Sequence, residues 1–407
     1  MDGNKVVSFA PYAPFPGVTH AGGQQYLKHL NVLATLGYET TVVAPDTAEN
    51  RAAAAVAGQP FKVHLYSIHP TNPITRLNRV LNSTFTAGRS PWVYGRALRR
   101  DREIPKLLEQ ADFVEAQWSE TASLFTDVPV LRDCAQPVVL IIHDVITQRE
   151  ERKSSLVPFW NVPRKIAMMI RSAQAERNEV QALRRAAITV ALSGKDETLL
   201  RHLVPEAQIS QVNPLIGAQA RAADLPDAPA ALFVGAFARS FNVDAALWML
   251  REIWPRVLKT IPDATLTIAG ANPPKELIVA AAAYPSVTVT GFVDTLDDVY
   301  ETARLVVVPL RGGAGVKFKT VEALVRGIPL VSTPVGAEGL ARYISNSFKV
   351  VRDAKGFAAA AIELLQADED ALAPSLEQTA IRARHEFGTD HYAHAISHVF
   401  SLVQQAA

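Results

Sequence analysis

The sequence contains one cysteine, Cys134, in 407 residues. That excludes a disulfide framework within the chain and a cysteine zinc cluster, and it fits a reducing compartment. Long apolar runs are missing as well. None approaches the roughly 18–20 residues needed to cross a bilayer, and the short run at 6–10 is too brief for a signal-peptide core. The expectation is a cytoplasmic protein, with peripheral contact at the inner face of a membrane left open. An excess of one charge sign is also lacking: 41 Lys and Arg against 40 Asp and Glu leave a net charge of +1. The chain as a whole is therefore no binder of nucleic acid, and any basic surface is local. There is no Gly-x-Gly-x-x-Gly run, which argues against a dinucleotide cofactor, and no P-loop lysine-serine pattern.

What is present is an ordinary globular balance, 48% hydrophobic and 20% charged. Single cores rarely grow beyond about 250–300 residues, so the length predicts two domains or more. Two stretches follow one plan. The first has an apolar strand at 5–10, a Pro/Gly-rich loop at 11–23 and a helical pattern at 24–36, then a strand at 39–44. In the helix Tyr26, Leu27, Leu30, Leu33 and Ala34 form one stripe, and Gly37 stops it. The second has strands at 231–235, 264–269, 287–290, 305–308 and 329–333, with helices at about 243–259, 296–302 and 317–326. Strands alternating with helices predict parallel sheets covered on both faces, an α/β architecture. The segment 218–229, rich in Ala, Pro and Asp, reads as a linker. It separates a first domain at 1–217 from a second at 230–389. A terminal helix at 390–407 carries Tyr392, Ile396, Val399, Phe400 and Val403 on its apolar face. Pattern alone does not assign it to a half, and packing on the first domain is one option.

The richest chemistry lies at 309–324. A strand ends at Pro309; Gly312, Gly313 and Gly315 allow a ligand to come close to the backbone. A helix then begins near Val316, offering free N–H groups and the positive end of its dipole. Lys317 and Lys319 add charge that the dipole disfavours, so an anion such as a diphosphate would offset it. Glu322, about one turn further in, can accept two hydrogen bonds from a ribose diol. The plain alternative is a strand–helix turn with solvated lysines and a Lys319–Glu322 pair at i,i+3.

This segment, with Gly327-Ile328-Pro329-Leu330-Val331 and Gly336-Ala337-Glu338-Gly339 after it, resembles the nucleotide-sugar site of family-4-type retaining glycosyltransferases. Phe233-Val234-Gly235, Asn242-Val243-Asp244-Ala245, Gly291-Phe292-Val293-Asp294 and the Gly22-Gly23 loop extend the resemblance over most of the chain. It implies the GT-B architecture: two facing Rossmann-like domains with an interdomain cleft. It also implies a nucleoside-diphosphate sugar as donor, a hydroxyl acceptor, retention of configuration, and neither metal nor resident cofactor. Site roles carried over are Glu322 on the ribose and Arg239, Lys317 and Lys319 with the amides of Gly313, Ala314, Gly315 and Val316 on the diphosphate. Phe292, Gly22 and Gly23 line the donor, and His143 lies near the reacting sugar. Many members have a glutamate where this sequence has Ala314. They also have a lysine five residues after the arginine, where this sequence has Asp244.

In the residues themselves, His143-Asp144 closes the apolar run 138–142, at the edge where parallel sheets place chemistry. Glu115, Gln117 and Glu120 follow an expected strand at 112–114, and loop solvation is the reading preferred for them. The pair Asn213-Pro214 reads as structural. Two stretches are locally basic with interleaved apolar residues: 76–106 (Arg76, Arg79, Phe85, Arg89, Trp92, Tyr94, Arg96, Arg99, Arg100, Arg102, Lys106) and 149–185 (Phe159, Trp160, Arg164, Lys165, Met168, Met169, Ile170, Arg171). A helical hairpin packed on its own domain accounts for them; a lipid-linked or membrane-resident acceptor would as well. Rival functions are an epimerase of nucleotide sugars on the same fold and a non-catalytic nucleotide-sugar-binding protein; a nicotinamide oxidoreductase is more remote.

Overall fold

The computed structural model describes residues 4–16, 18, 21–68, 87–155, 157, 160–217, 225–293 and 295–406. The chain divides into two compact units, Met1–Leu215 with Tyr392–Ala407, and Ile216–His391. Most of the linker segment, 218–224, lies outside the described residues, as do Arg76, Arg79, Phe85, Phe159 and Asp294.

The first unit holds a parallel sheet of seven described strands: β1 (Lys5–Phe9), β2 (Glu39–Pro45), β3 (Lys62–Tyr66), β4 (Phe113–Gln117), β5 (Val138–Ile142), β6 (Ile188–Ala191) and β7 (Ile209–Gln211). Their order is β3-β2-β1-β4-β5-β6-β7. β5 reads Val-Val-Leu-Ile-Ile and is buried throughout, as expected of a central parallel strand covered on both faces. Alternate residues feed two cores. Val7, Val114 and Leu140 face one, and Val6, Phe113 and Val139 face the other. The second core also takes Tyr392, Ile396, Val399, Phe400 and Val403 from the helix Thr389–Ala406. Phe400 lies against Phe113 with ring centroids 4.3 Å apart. Each such side chain removed from water contributes about 1.5–3 kcal/mol, which ties the chain's last helix to this unit.

The second unit holds six described strands: β8 (Ala230–Val234), β9 (Thr265–Ala269), β10 (Val287–Gly291), β11 (Leu305–Val308), β12 (Leu330–Ser332) and β13 (Phe348–Val350). They are parallel, in the order β10-β9-β8-β11-β12-β13. Its single core is built around Phe233, Trp254, Tyr300 and Phe357. Leu225, from the end of the expected linker, is part of that core.

One expected helix is not uniform. The pattern at 243–259 predicts a single helix. The structure has Ser240–Trp248 and Trp254–Thr260 joined by a π-helical turn, Met249–Ile253. Pro255 is the reason: it has no N–H to donate, and its ring would strike the carbonyl four residues earlier. A wider turn before it removes the clash.

In both sheets the strand order reverses beside the first strand, between β1 and β4 and between β8 and β11. Loops leaving the carboxyl ends of those strands splay apart, and ligands of open parallel sheets bind in that crevice. Each unit therefore has its own predefined position for a site.

Candidate functional sites at the two switch points

In the second unit the segment after β11 lies at the switch point. Gly313 and Gly315 have φ of +110° and +72°, conformations costly for residues with a Cβ. The helix Phe318–Arg326 follows, with Lys317 at its N-cap position, one residue later than expected. Lys317 is buried. Its Nζ donates to the carbonyl of Ala314 at 3.0 Å and to that of Gly315, and lies 3.6 Å from Glu338. The charge expected to meet an anion is thus already held by the loop's own carbonyls and by Glu338, which sequence reasoning gave no role.

Lys319 is half-buried by surface, but its ammonium sits deep among protein atoms. Nζ donates to Asn242 Oδ1 at 2.9 Å and lies 4.5 Å from the centre of the Phe233 ring. Desolvation, aided by the positive charge of Lys317, lowers its pKa to about 7; Glu322 opposes the shift. Gly235 makes room for this group: a Cβ there would lie 3.0 Å from Asn242 Cγ and 3.2 Å from Nζ. The Phe-Val-Gly and Asn motifs thus meet Lys319 at one point in space.

Glu322 is oriented by Tyr300, whose hydroxyl donates to Oε2 at 2.8 Å. Burial, then the Glu322 carboxylate, hold the Tyr300 pKa well above its usual value, so the hydroxyl keeps its proton. Arg326 lies over the Tyr300 ring at 4.6 Å and pairs with Asp297 at 2.6 Å. Arg239 is exposed at the N-cap position of the helix Ser240–Trp248. Asp244 pairs with Arg311 at 2.6 Å. Phe292, just after β10, is 58% exposed. Its motif partner Asp294 lies outside the described residues.

In the first unit, two expectations are corrected. The helix begins at Ala21 rather than at 24, so Gly22 and Gly23 lie in its first turn instead of in a loop. A Cβ on Gly22 would be 3.3 Å from the Trp118 ring, so the absent side chain makes space for Trp118. Residues 17, 19 and 20 of that loop lie outside the described residues. Second, Glu115 and Gln117 are within β4, which runs to Gln117, and both are buried; they are not solvated loop residues. The missed signal was their spacing. Two polar residues two apart in a buried strand share a face and must find partners there.

Those partners are present. Glu115 accepts from Ser8 Oγ at 2.8 Å, from Gln117 Nε2 at 3.3 Å and pairs with His29 Nε2 at 2.9 Å. Tyr392 of the last helix meets His29 Nδ1 at 2.9 Å. His143 leaves β5 half-buried; its Nε2 is 3.1 Å from Gln117 Oε1. The Trp118 ring stacks on it with centroids 4.1 Å apart and planes at 13°. Trp118 has φ of +69°, a strained backbone for a bulky residue.

Glu179 ties these loops together. It accepts from Ser119 Oγ at 3.2 Å and from the N–H groups of Ile146 and Thr147, both at 3.1 Å, opening the helix Ile146–Ser155 just after His143. Burial raises its pKa to about 7 against the effect of those donors. The folded protein therefore holds this proton more tightly than the unfolded chain. Stability should fall as pH rises from the ordinary glutamate value to about 7 and then level, by an amount on the order of 3 kcal/mol. Glu179→Gln should flatten that part of the curve of melting temperature against pH; an unchanged slope would remove Glu179 as its source.

Some cations of the basic stretches are paired. Arg89 pairs with Asp127; Arg149 with Asp144 at 2.8 Å and Glu120 at 3.0 Å; Arg171 with Glu150 at 3.1 Å. The helices Ile146–Ser155 and Val162–Arg185 form the expected hairpin. Val162, Ile166, Met169 and Ile170 nevertheless leave an exposed apolar stripe, with Trp160, 73% exposed, at its head. No described helix is long and apolar enough to cross a membrane.

Residues 228–367 match the family described as glycosyl transferases group 1. Nearly the whole chain superimposes on solved glycosyltransferase structures. Sucrose-phosphate synthase from Thermosynechococcus elongatus has a TM-score of 0.76 at 15% identity, covering 99% of this chain and 100% of that one. HepE from Anabaena, in complex with UDP and glucose, has 0.67 at 12% identity, covering 98% and 99%. A variant of S. aureus TarM, in complex with fondaparinux, alpha-GlcNAc-glycerol and UDP, has 0.69 at 10%, covering 98% and 99%. The chain has the GT-B fold of glycosyltransferases. The family match falls within its second unit. A Klebsiella pneumoniae protein, described as an uncharacterized 44.6 kDa protein in a cps region, is 32% identical over 115 residues. That match covers 26% of this chain and 30% of the relative's length.

Proposed function

We propose that the protein transfers a sugar from a nucleoside-diphosphate sugar to a hydroxyl acceptor, with retention, and that the second unit holds the nucleotide. The observation that carries this reading is the turn after β11. Two left-handed glycines and a helix start lie at the switch point, Lys319 in the first turn is bonded to Asn242, and Glu322 is held by Tyr300 one turn further in. Developing charge on a departing diphosphate is what such a group of amides and cations stabilises. Glu322 takes the ribose hydroxyls, Arg239 reaches the phosphates from its exposed position, and Phe292 supplies a flat apolar surface. Lys317 acts by shaping the loop that presents the amides of Gly313 to Val316. The family match over this segment and the UDP complexes of HepE and TarM support the reading. The reaction as proposed uses no resident cofactor or metal.

The first unit serves the acceptor, with His143 beside the reacting sugar. A cytoplasmic enzyme working on a lipid-linked acceptor at the inner face of a membrane would put the stripe from Trp160 to Ile170 to use. The relative encoded in a cps region favours a glycan product.

Thermal-shift screening against UDP, GDP, ADP and dTDP and their sugars tests the donor class, because the preferred nucleotide raises the melting temperature most. No shift with any of them would end the proposal. Conversion of the donor without any acceptor would identify an epimerase instead. His143→Ala should lower turnover at least tenfold with donor affinity retained; unaltered turnover would take His143 out of the site.

A further inference from the structure

We propose that Gln117, oriented by the buried carboxylate of Glu115, holds His143 in the tautomer with its proton on Nε2. The inference rests on the reading that His143 belongs to the site, and it assigns Gln117 and Glu115 as positioning residues.

The argument is one of donors and acceptors. An ionised carboxylate only accepts hydrogen bonds. Glu115 is surrounded by donors: Ser8 Oγ at 2.8 Å, whose own oxygen accepts from Tyr26 at 2.8 Å, and His29 Nε2 at 2.9 Å. Tyr392 can donate to His29 Nδ1, which leaves the His29 proton on the side of Glu115. The remaining neighbour, Gln117, must then present its NH2 group to Glu115 Oε2, at 3.3 Å. A planar amide cannot turn one end without turning the other. Its carbonyl oxygen therefore points at His143 Nε2, at 3.1 Å. A carbonyl accepts, so Nε2 must donate, and the lone pair of the neutral ring resides on Nδ1. The Trp118 ring, stacked at 4.1 Å, keeps the imidazole from rotating away from this bond.

The arrangement reaches from the last helix through the sheet to the site edge. It accounts for a fully polar chain of groups inside a core that apolar residues could fill at lower cost. It also gives the Glu115–Gln117 spacing in β4 a purpose: both side chains must lie on the same face.

The test needs no substrate. Nitrogen-15 spectra of histidine-labelled protein, assigned with His143→Asn, report the tautomer directly above the pH at which the ring is neutral. The wild type should show limiting shifts for Nε2–H. Glu115→Gln frees the Gln117 amide to turn over and should move the shifts toward Nδ1–H. Gln117→Met keeps the volume, removes the acceptor and should return the ring to a solvent-averaged mixture. A wild-type proton on Nδ1, or identical shifts in all three proteins, would overturn the proposal. The activity of His143→Ala decides separately whether the ring belongs to the site, so the two failures are distinguishable.

Discussion

Lys319→Met should make the protein more stable and its diphosphate binding poorer. The ammonium lies deep among protein atoms, with one amide oxygen, an aromatic face and another cation around it, and the Glu322 carboxylate offsets only part of the cost. Keeping a charge there is costly, and an apolar side chain of similar length removes that cost. The gain should be about 1–3 kcal/mol, a rise of several degrees in melting temperature. Its pH dependence has a fixed sign. The folded pKa, about 7, lies below that of an unfolded lysine. Between the two the unfolded chain binds more protons, so wild-type stability rises with pH across that window. The advantage of the variant should thus be largest below pH 7 and shrink above it. A diphosphate reverses the balance by stabilising the ammonium. Nucleotide affinity of the wild type should fall as pH rises through and above 7, with proton uptake on binding, and calorimetry in buffers of different ionisation enthalpy measures that uptake. The variant should bind at least tenfold more weakly and take up no proton at this group. Equal affinities, or equal uptake, would show that Lys319 does not face the phosphates.

The second large effect is expected from Glu322→Gln. A charged acceptor contributes about 1.5–3 kcal/mol to its hydrogen bonds, so nucleotide affinity should drop about tenfold to a hundredfold. The amide still accepts from the Tyr300 hydroxyl, which burial keeps protonated, so the melting temperature should stay within about 1–2 °C. Glu322→Ala would not separate these effects, because it strands a buried hydroxyl as well. Nucleotides compared with their 2′- and 3′-deoxy analogues provide the control: the variant should lose most of the wild type's preference for the full ribose. A preference retained in full would place the ribose elsewhere.

Both predictions concern residues that the sequence singled out; Glu322 keeps the role the sequence suggested and gains Tyr300 as a partner, whereas Lys319 is not the exposed helix-end charge the sequence suggested. At 309–324 the glycines, the helix start and Glu322 were legible because each is a local property: φ freedom, an N-terminus, a spacing of one turn. The lysines were read as charge on a helix end. The structure divides them. Lys317 folds back on Ala314, Gly315 and Glu338, and Lys319 sinks against Asn242 and Phe233. Which of two neighbouring lysines is spent internally depends on partners brought in from β8 and from the loop after β12. No window of sequence contains them.

The first unit shows the same limit more sharply. His143 was found because an apolar run ends in it. Glu115 and Gln117 were read as solvated loop residues, and Trp118 was given no role, because strand β4 runs three residues past the expected end at Val114. Polar residues end a strand in a pattern-based reading. In the fold they extend it when Ser8, His29 and Gln117 itself satisfy the carboxylate.

By itself the sequence determined the alternation of strands and helices, the two-sheet α/β plan and the glycine-rich strand–helix turn of the second half. These follow from periodicity, from glycine placement and from helix termini, all of which act over a few residues. Only the tertiary structure decided the attachment of the last helix to the first sheet, the burial of Lys319, the Tyr300–Glu322 bond and the chain from Tyr392 to His143. Each of these is an energy of desolvation or hydrogen bonding between groups far apart in the chain, and such energies exist only once the backbone has brought the groups together.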